Sequence, residues 1–311
     1  MALKKRKLGG TEIELSELTV GTWGLFAESY GKVFAEQQVS TLTRAIDLGI
    51  TTFDMAPTWG TDGASERAVA SAVGTRRDEV TYITRAGWLL GDGSLYPSFG
   101  APELRAQVEA SLERLATDRI DVLLLQHPPF AAVQTDELRE VLGDLVTEGK
   151  LRAWGVSVSS ADDGRTAIVW GAQVLCVPFN LLLPDIVWDL AAECREVGAG
   201  ILARSPLMHG MLSGRWGEKK RFTPEDHRMY RWTYEALEAR VKQARDLRAR
   251  VVPSAASMTV AALQFVLTHD IIASAIFGPR TPAQVVTAIE DVAHELNLTT
   301  GEMQLAYNSL R

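Results

Sequence analysis

Cysteine is almost absent from this 311-residue chain: Cys176 and Cys194 stand alone, with no CxxC pair and no Cys/His cluster at metal-ligand spacing. That excludes a disulfide scaffold and a sequence-encoded metal site, and leaves two free, buried thiols of the kind a reducing cytoplasm maintains. No apolar run approaches the ~20 residues of a membrane span. The basic start, MALKKRKLGG, runs into TEIELSEL rather than an apolar stretch, so it lacks the form of a secretory signal. Positive charge is in deficit. Thirty-two Lys and Arg face 39 Asp and Glu, a net charge of -7, which disfavours nucleic acid or an anionic membrane as the main partner. A small-molecule substrate in a cytoplasmic protein is the expectation that remains; oligomeric state has no signature in the sequence.

Hydrophobic residues make up 46% of the chain, with no linker, low-complexity tract or internal repeat to divide it. Residues 1–311 are therefore expected to form a single domain around one large core, a size that suits an α/β barrel. Apolar runs alternate with amphipathic stretches eight times. Strands are predicted at Leu18–Gly21, Thr51–Met55, Thr81–Arg85, Val122–Gln126, Ala153–Ser157, Val174–Val177, Gly200–Ala203 and Ser274–Phe277. Helices such as Glu36–Leu48, Ala64–Val73, Pro102–Leu115, Asp136–Glu148 and Asp185–Val197 lie between them. A hairpin, Arg6–Leu8 with Glu12–Leu15 around Gly9-Gly10, precedes the series. Eight strand-helix rounds with right-handed crossovers close most naturally into a (β/α)8 TIM barrel. One connection is out of scale: Ser213 to Trp232 is charged, aromatic and aperiodic, the pattern of a lid, a binding loop or a solvated excursion. The stretch from Trp88 to Pro102 carries no readable code.

In such a barrel the chemistry sits where strands end. Asp54, Arg85 and His127 end the second, third and fourth predicted strands and so face one mouth. Trp23, Trp59 and Trp88 follow strand ends too, with Phe26 and Phe130 close in sequence; together with His127 these indoles would line a pocket for a flat, apolar or cationic ligand. His209, in SPLMHG, either adds a second imidazole to the site or sits exposed on a loop, the second being the reading its position favours.

Three segments, FDMAPTWG (Phe53 to Gly60), YITRAGW (Tyr82 to Trp88) and LLLQHPPF (Leu123 to Phe130), resemble the aldo-keto reductase family. VGTWG (Val20 to Gly24), GKLRAWGVSVSS (Gly149 to Ser160), VPFNLL (Val177 to Leu182), ILARSPLMHGMLSGR (Ile201 to Arg215) and FGPRTPAQV (Phe277 to Val285) extend the likeness over nearly the whole chain. The resemblance implies the (β/α)8 barrel, NADP(H) as cofactor and a catalytic quartet of Asp, Tyr, Lys and His. The matching positions here are Asp54, Trp59, Arg85 and His127.

Two of the four differ. Hydride transfer to a carbonyl builds an alkoxide that a positioned acid must neutralise, an effect of about 10²–10⁴ in rate. An indole is a donor without acidity near neutral pH, and an arginine stays charged, so only His127 titrates in the useful range. The resemblance places the dinucleotide against Thr22, Trp23, Asp54, Ser157, Cys176, Ser205, Leu207, Gly278, Arg280 and Gln284. Ser157 matches a carboxamide contact, but Val158 and Cys176 stand where Asn and Gln are expected. Arg280 and Gln284 match at the adenosine end, where Ala288 replaces an Asn. Arg280 is the residue that would meet a 2′-phosphate, which favours NADP over NAD.

Three functions follow as expectations. The first is an NADP(H)-dependent oxidoreductase acting on the carbonyl or alcohol of a small organic molecule with an atypical acid. The second is a redox-neutral dehydratase, isomerase or cyclase using His127 as acid and base. The third is a non-catalytic dinucleotide-binding homologue.

Overall fold

A short antiparallel hairpin, β1 (Lys5–Lys7) and β2 (Glu14–Ser16), opens the chain. Eight parallel strands follow: β3 (Leu18–Gly21), β4 (Thr52–Asp54), β5 (Thr81–Ala86), then β8 to β12 after a second hairpin. That hairpin pairs β6 (Trp88–Gly91) with β7 (Ser94–Pro97). The remaining strands are β8 (Ile120–Gln126), β9 (Leu151–Ser157), β10 (Val174–Pro178), β11 (Gly200–Arg204) and β12 (Ile272–Phe277). β3, β4, β5 and β8 to β12 close into one barrel in chain order. The computed structural model describes residues 3–217, 219–251 and 257–293.

The barrel strands are buried along nearly their whole length because helices cover their outer faces and their inner faces fill the barrel. Ile83, Val122, Leu124, Ala153, Val174, Cys176, Leu202 and Ile276 form the inner packing. Leu8, Ile13 and Leu15 of the first hairpin belong to the same cluster and plug one end. Gly9 is obligatory in that plug: its φ is +55° and a Cβ would lie 2.4 Å from the Gly198 carbonyl oxygen. The opposite end, at the strand C-termini, is the mouth.

Helices Ala64–Val73 and Asp185–Val197 have the bounds their periodicity predicts. Ser160 and Thr135 cap two others, accepting from the amides of Asp163 and Leu138. The first hairpin begins and ends within two residues of the expected positions. The β6–β7 hairpin was not anticipated, yet Asp92-Gly93 is its signal. Both residues have positive φ, 50° and 77°, as a two-residue type I′ turn requires. Among the described residues no helix is long and apolar enough to cross a membrane.

Candidate active site

Side chains alternate faces along a strand, and register partners in a parallel barrel share a face. Two residues beyond inward Ile83, Leu124 and Leu202 come Arg85, Gln126 and Arg204. Register pairs Asp54 with Ile83, and Gln126 with Ser157, which pairs with Cys176. Asp54, Arg85, Gln126, Ser157, Cys176 and Arg204 therefore form one inward layer at the mouth.

Arg85 is its hub. Nε donates to Asp54 Oδ1 and Nη2 to Oδ2, each at 2.9 Å, a two-pronged ion pair between buried residues. Nη2 also approaches Cys176 Sγ at 3.6 Å, and Nη1 donates to Gln126 Oε1. Of the five guanidinium N–H groups, one on Nη1 is left over. Burial opposes charge on both partners. It raises the Asp54 carboxyl above its usual value against the pull of Arg85. In Arg85 burial is outweighed by Asp54 and Cys176, so its pKa lies above the ordinary guanidinium value and the cation is permanent. Trp59 is half-buried beside it, the guanidinium carbon 5.2 Å from the indole centroid. Its N–H makes no hydrogen bond among the described residues. Trp88 turns its own N–H to the Gln126 carbonyl, at 2.6 Å, and packs edge-on against Phe99.

Asp54, Trp59 and Arg85 are thus brought together, while His127 is not part of the hub. It follows inward Gln126, has a φ of 43°, and is exposed at the rim with its amide bonded to the Ser157 carbonyl. Partial desolvation lowers its pKa, and Arg204 and Arg85 lower it further by opposing another positive charge. Gln126, which pattern reading passed over, holds the inward position.

A second layer closes over the rim. Tyr30 Oη and His209 Nδ1 are 3.0 Å apart, and Trp23, Tyr30, His209 and His227 meet edge to face. His209 is half-buried, not the exposed loop residue expected. Arg228 joins the Ser213–Trp232 segment to this cluster, paired with Asp226, donating to the His209 carbonyl at 3.0 Å and lying over Tyr30 and Phe222. Arg280 donates to the carbonyls of Tyr30, Gly31 and Lys32, while its own amide donates to Gln284 Oε1 at 2.7 Å. The Thr22 hydroxyl is committed internally, to the Asp54 carbonyl and Ser65, each at 3.0 Å. The Ser205 carbonyl accepts from Asn180; Leu207 is half-buried and Gly278 exposed. Ser157 Oγ, Arg204 Nε, His227 Nε2 and Arg280 Nε are buried without a partner.

Burial, with Arg231 and other nearby cations, lowers His209 to about 3, and burial lowers His227 and His269 too. These imidazoles are neutral when folded, whereas in the unfolded chain each takes a proton near 6.5. The unfolded state therefore binds more protons below that value, so stability is full above about pH 6.5 and is lost as pH falls toward the folded pKa values. The urea midpoint should drop as pH is lowered from about 7 to about 5. His209→Gln should make that drop shallower; an unchanged slope would show that His209 protonation is not coupled to unfolding.

The model of the Aldo/keto reductase family matches residues 17–306. The chain belongs to the aldo/keto reductase family. Aldo-keto reductase YhdN of Bacillus subtilis (strain 168) is 30% identical over 224 residues, 71% of this chain and 67% of the relative. The NADH-specific methylglyoxal reductase of Escherichia coli (strain K12) is 30% identical over 229 residues, 68% of this chain and 70% of the relative. Among solved structures, the glycerol dehydrogenase AKR11B4 from Gluconobacter oxydans superposes with a TM-score of 0.84 at 25% identity, covering 100% of this chain and 95% of its own. The holo form of aldo-keto reductase AKR11C1 from Bacillus halodurans, at 23% identity, has a TM-score of 0.81 over 99% of this chain and 96% of its own, a likeness of fold.

For this aldo/keto reductase the family implies a nicotinamide dinucleotide, and the unpartnered buried atoms test the fit. A buried donor without an acceptor costs about 1–3 kcal/mol. Ser157 Oγ in the inward layer and Arg280 Nε and His227 Nε2 beneath the rim are groups that an acceptor-rich ligand would satisfy. The residues present fit such a group, with the rim contacts rearranged to admit it.

Proposed function

We propose that the protein is an NADP(H)-dependent oxidoreductase acting on the carbonyl or alcohol of a small organic molecule, with a fixed guanidinium in place of the usual acid. The observation that carries this reading is the Arg85 fork: it locks a permanent cation at the mouth and leaves one N–H for a substrate oxygen. Bound dinucleotide would supply the hydride. Ser157 would hold the carboxamide, and Arg280 would meet the 2′-phosphate, a charged acceptor that competes well with the three neutral carbonyls it now serves. Arg85 and the free indole N–H of Trp59 would polarise the carbonyl and stabilise the developing alkoxide. His127, at the rim, would relay the proton.

Because the His127 pKa is lowered, its protonated fraction near neutrality is small and grows with acid. For reduction, kcat/KM should rise as pH falls, with an inflection below the ordinary histidine value of about 6.5. His127→Gln should flatten the profile, and an unchanged profile would take the relay away from His127. NADPH binding is checked by fluorescence and calorimetry, and NADPH should bind tighter than NADH, a preference that Arg280→Ala removes.

The second reading, a redox-neutral dehydratase, isomerase or cyclase, is favoured by one feature: Arg85, Trp59 and Gln126 all lack a proton to give near neutrality. Mass balance separates the two. Stoichiometric NADPH oxidation supports the reductase; product isobaric with substrate, or one water lighter, without NADPH consumption would replace it with the redox-neutral enzyme.

A further inference from the structure

Arg204 is the cation at the mouth that Asp54 does not neutralise. It ends β11 in the inward layer, and only Nη2 is engaged, with Ser159 Oγ at 2.8 Å and the Val158 carbonyl at 3.3 Å. Nε is buried without an acceptor, Nη1 makes no hydrogen bond, and no carboxylate lies within ion-pair distance among the described residues. Contrast Arg85, whose charge is matched by Asp54, and Arg228, matched by Asp226. Arg204 therefore stands at the mouth as a cation without an ion-pair partner among the described residues. A partly buried guanidinium is costly unless an anion completes it. Its free N–H groups on Nη1 would meet one carboxylate oxygen, and exchanging the long Nη2 contact with the Val158 carbonyl for the second oxygen would make the grip two-pronged.

We propose that Arg204 is the substrate-specificity residue, and that the substrate is a carbonyl or alcohol compound bearing a carboxylate. This rests on the oxidoreductase reading, because Arg204 then anchors the acid group while the spare Arg85 N–H takes the carbonyl oxygen. The charge on Arg204 disfavours cationic substrates, which the indoles alone would accept.

The test uses the whole protein and a matched pair of ligands, phenylglyoxylate and its methyl ester, in calorimetry with and without NADP, so that binding is read independently of turnover. The acid should bind on the order of tenfold tighter than the ester, with the difference shrinking as salt is raised. Arg204→Met should abolish that preference while NADPH affinity changes less than about threefold; Arg204→Lys should keep part of it. Loss of the buried unpaired charge should leave Tm unchanged or higher, which separates a binding role from a structural one. Equal binding of acid and ester overturns the proposal. An equal loss of NADPH affinity in Arg204→Met also overturns it, since the cation would then serve a dinucleotide phosphate. If the preference for the acid holds but NADPH is never oxidised, Arg204 stands as the anion anchor and the oxidoreductase reading alone fails.

Discussion

Trp59→Tyr is expected to raise NADPH-dependent carbonyl reduction by about 10²-fold, carried by kcat rather than KM. The phenol introduces the positioned acid that the indole cannot supply, and general acids of this kind contribute about 10²–10⁴. Arg85, 5.2 Å from the present ring, would stabilise the phenolate and so make the phenol more acidic. Trp59→Phe is the control: it removes the indole N–H without adding an acid and should lower activity. Single-turnover kinetics with NADPH separate chemistry from release. Were Tyr and Phe to behave alike, proton supply would not limit the reaction and the place of Trp59 in the chemistry would have to be rethought.

Arg85→Met is expected to be the most destabilising single change at the mouth, by about 3–5 kcal/mol, because it strands Asp54 as an uncompensated buried charge. Asp54 is only 2% exposed and both its side-chain oxygens accept from Arg85. Urea denaturation at neutral pH measures the loss. Asp54→Asn in the same background should recover most of it, since a neutral amide no longer has to be buried as a charge. Arg85→Lys should fall between, because one ammonium cannot span both Asp54 oxygens and reach Gln126. If Arg85→Met and the double variant were equally unstable, packing rather than charge pairing would be the function of the arginine. On the proposed function Arg85→Met should also lose reduction, since it removes the guanidinium proposed to face the substrate oxygen, while Arg85→Lys, which keeps a cation and N–H donors, should lose less.

Much of the mouth was legible before folding was considered, and the exceptions have identifiable causes. Asp54 and Arg85 end apolar runs, so their convergence follows from barrel geometry. Gln126 escaped notice because His127 beside it has the more familiar chemistry, although counting two residues from Val122 and Leu124 puts Gln126 inward. The same count from Leu202 yields Arg204. Asp92-Gly93 announced a hairpin inside a stretch that otherwise lacked pattern. Tyr30 and His209 could not be paired from the sequence, being 179 residues apart and joined only by the closing of the rim.

What the sequence by itself determined is the barrel, its family, and which residues reach the strand ends, because hydrophobic period and turn residues encode local geometry. Only the tertiary structure decided which strand-end groups meet. Closing eight strands fixes their relative register, and a one-residue difference moves a side chain from the interior to the rim. That is why Gln126 touches Arg85 while His127 faces solvent, and why Arg204, unremarkable in the sequence, becomes the unmatched cation of the mouth.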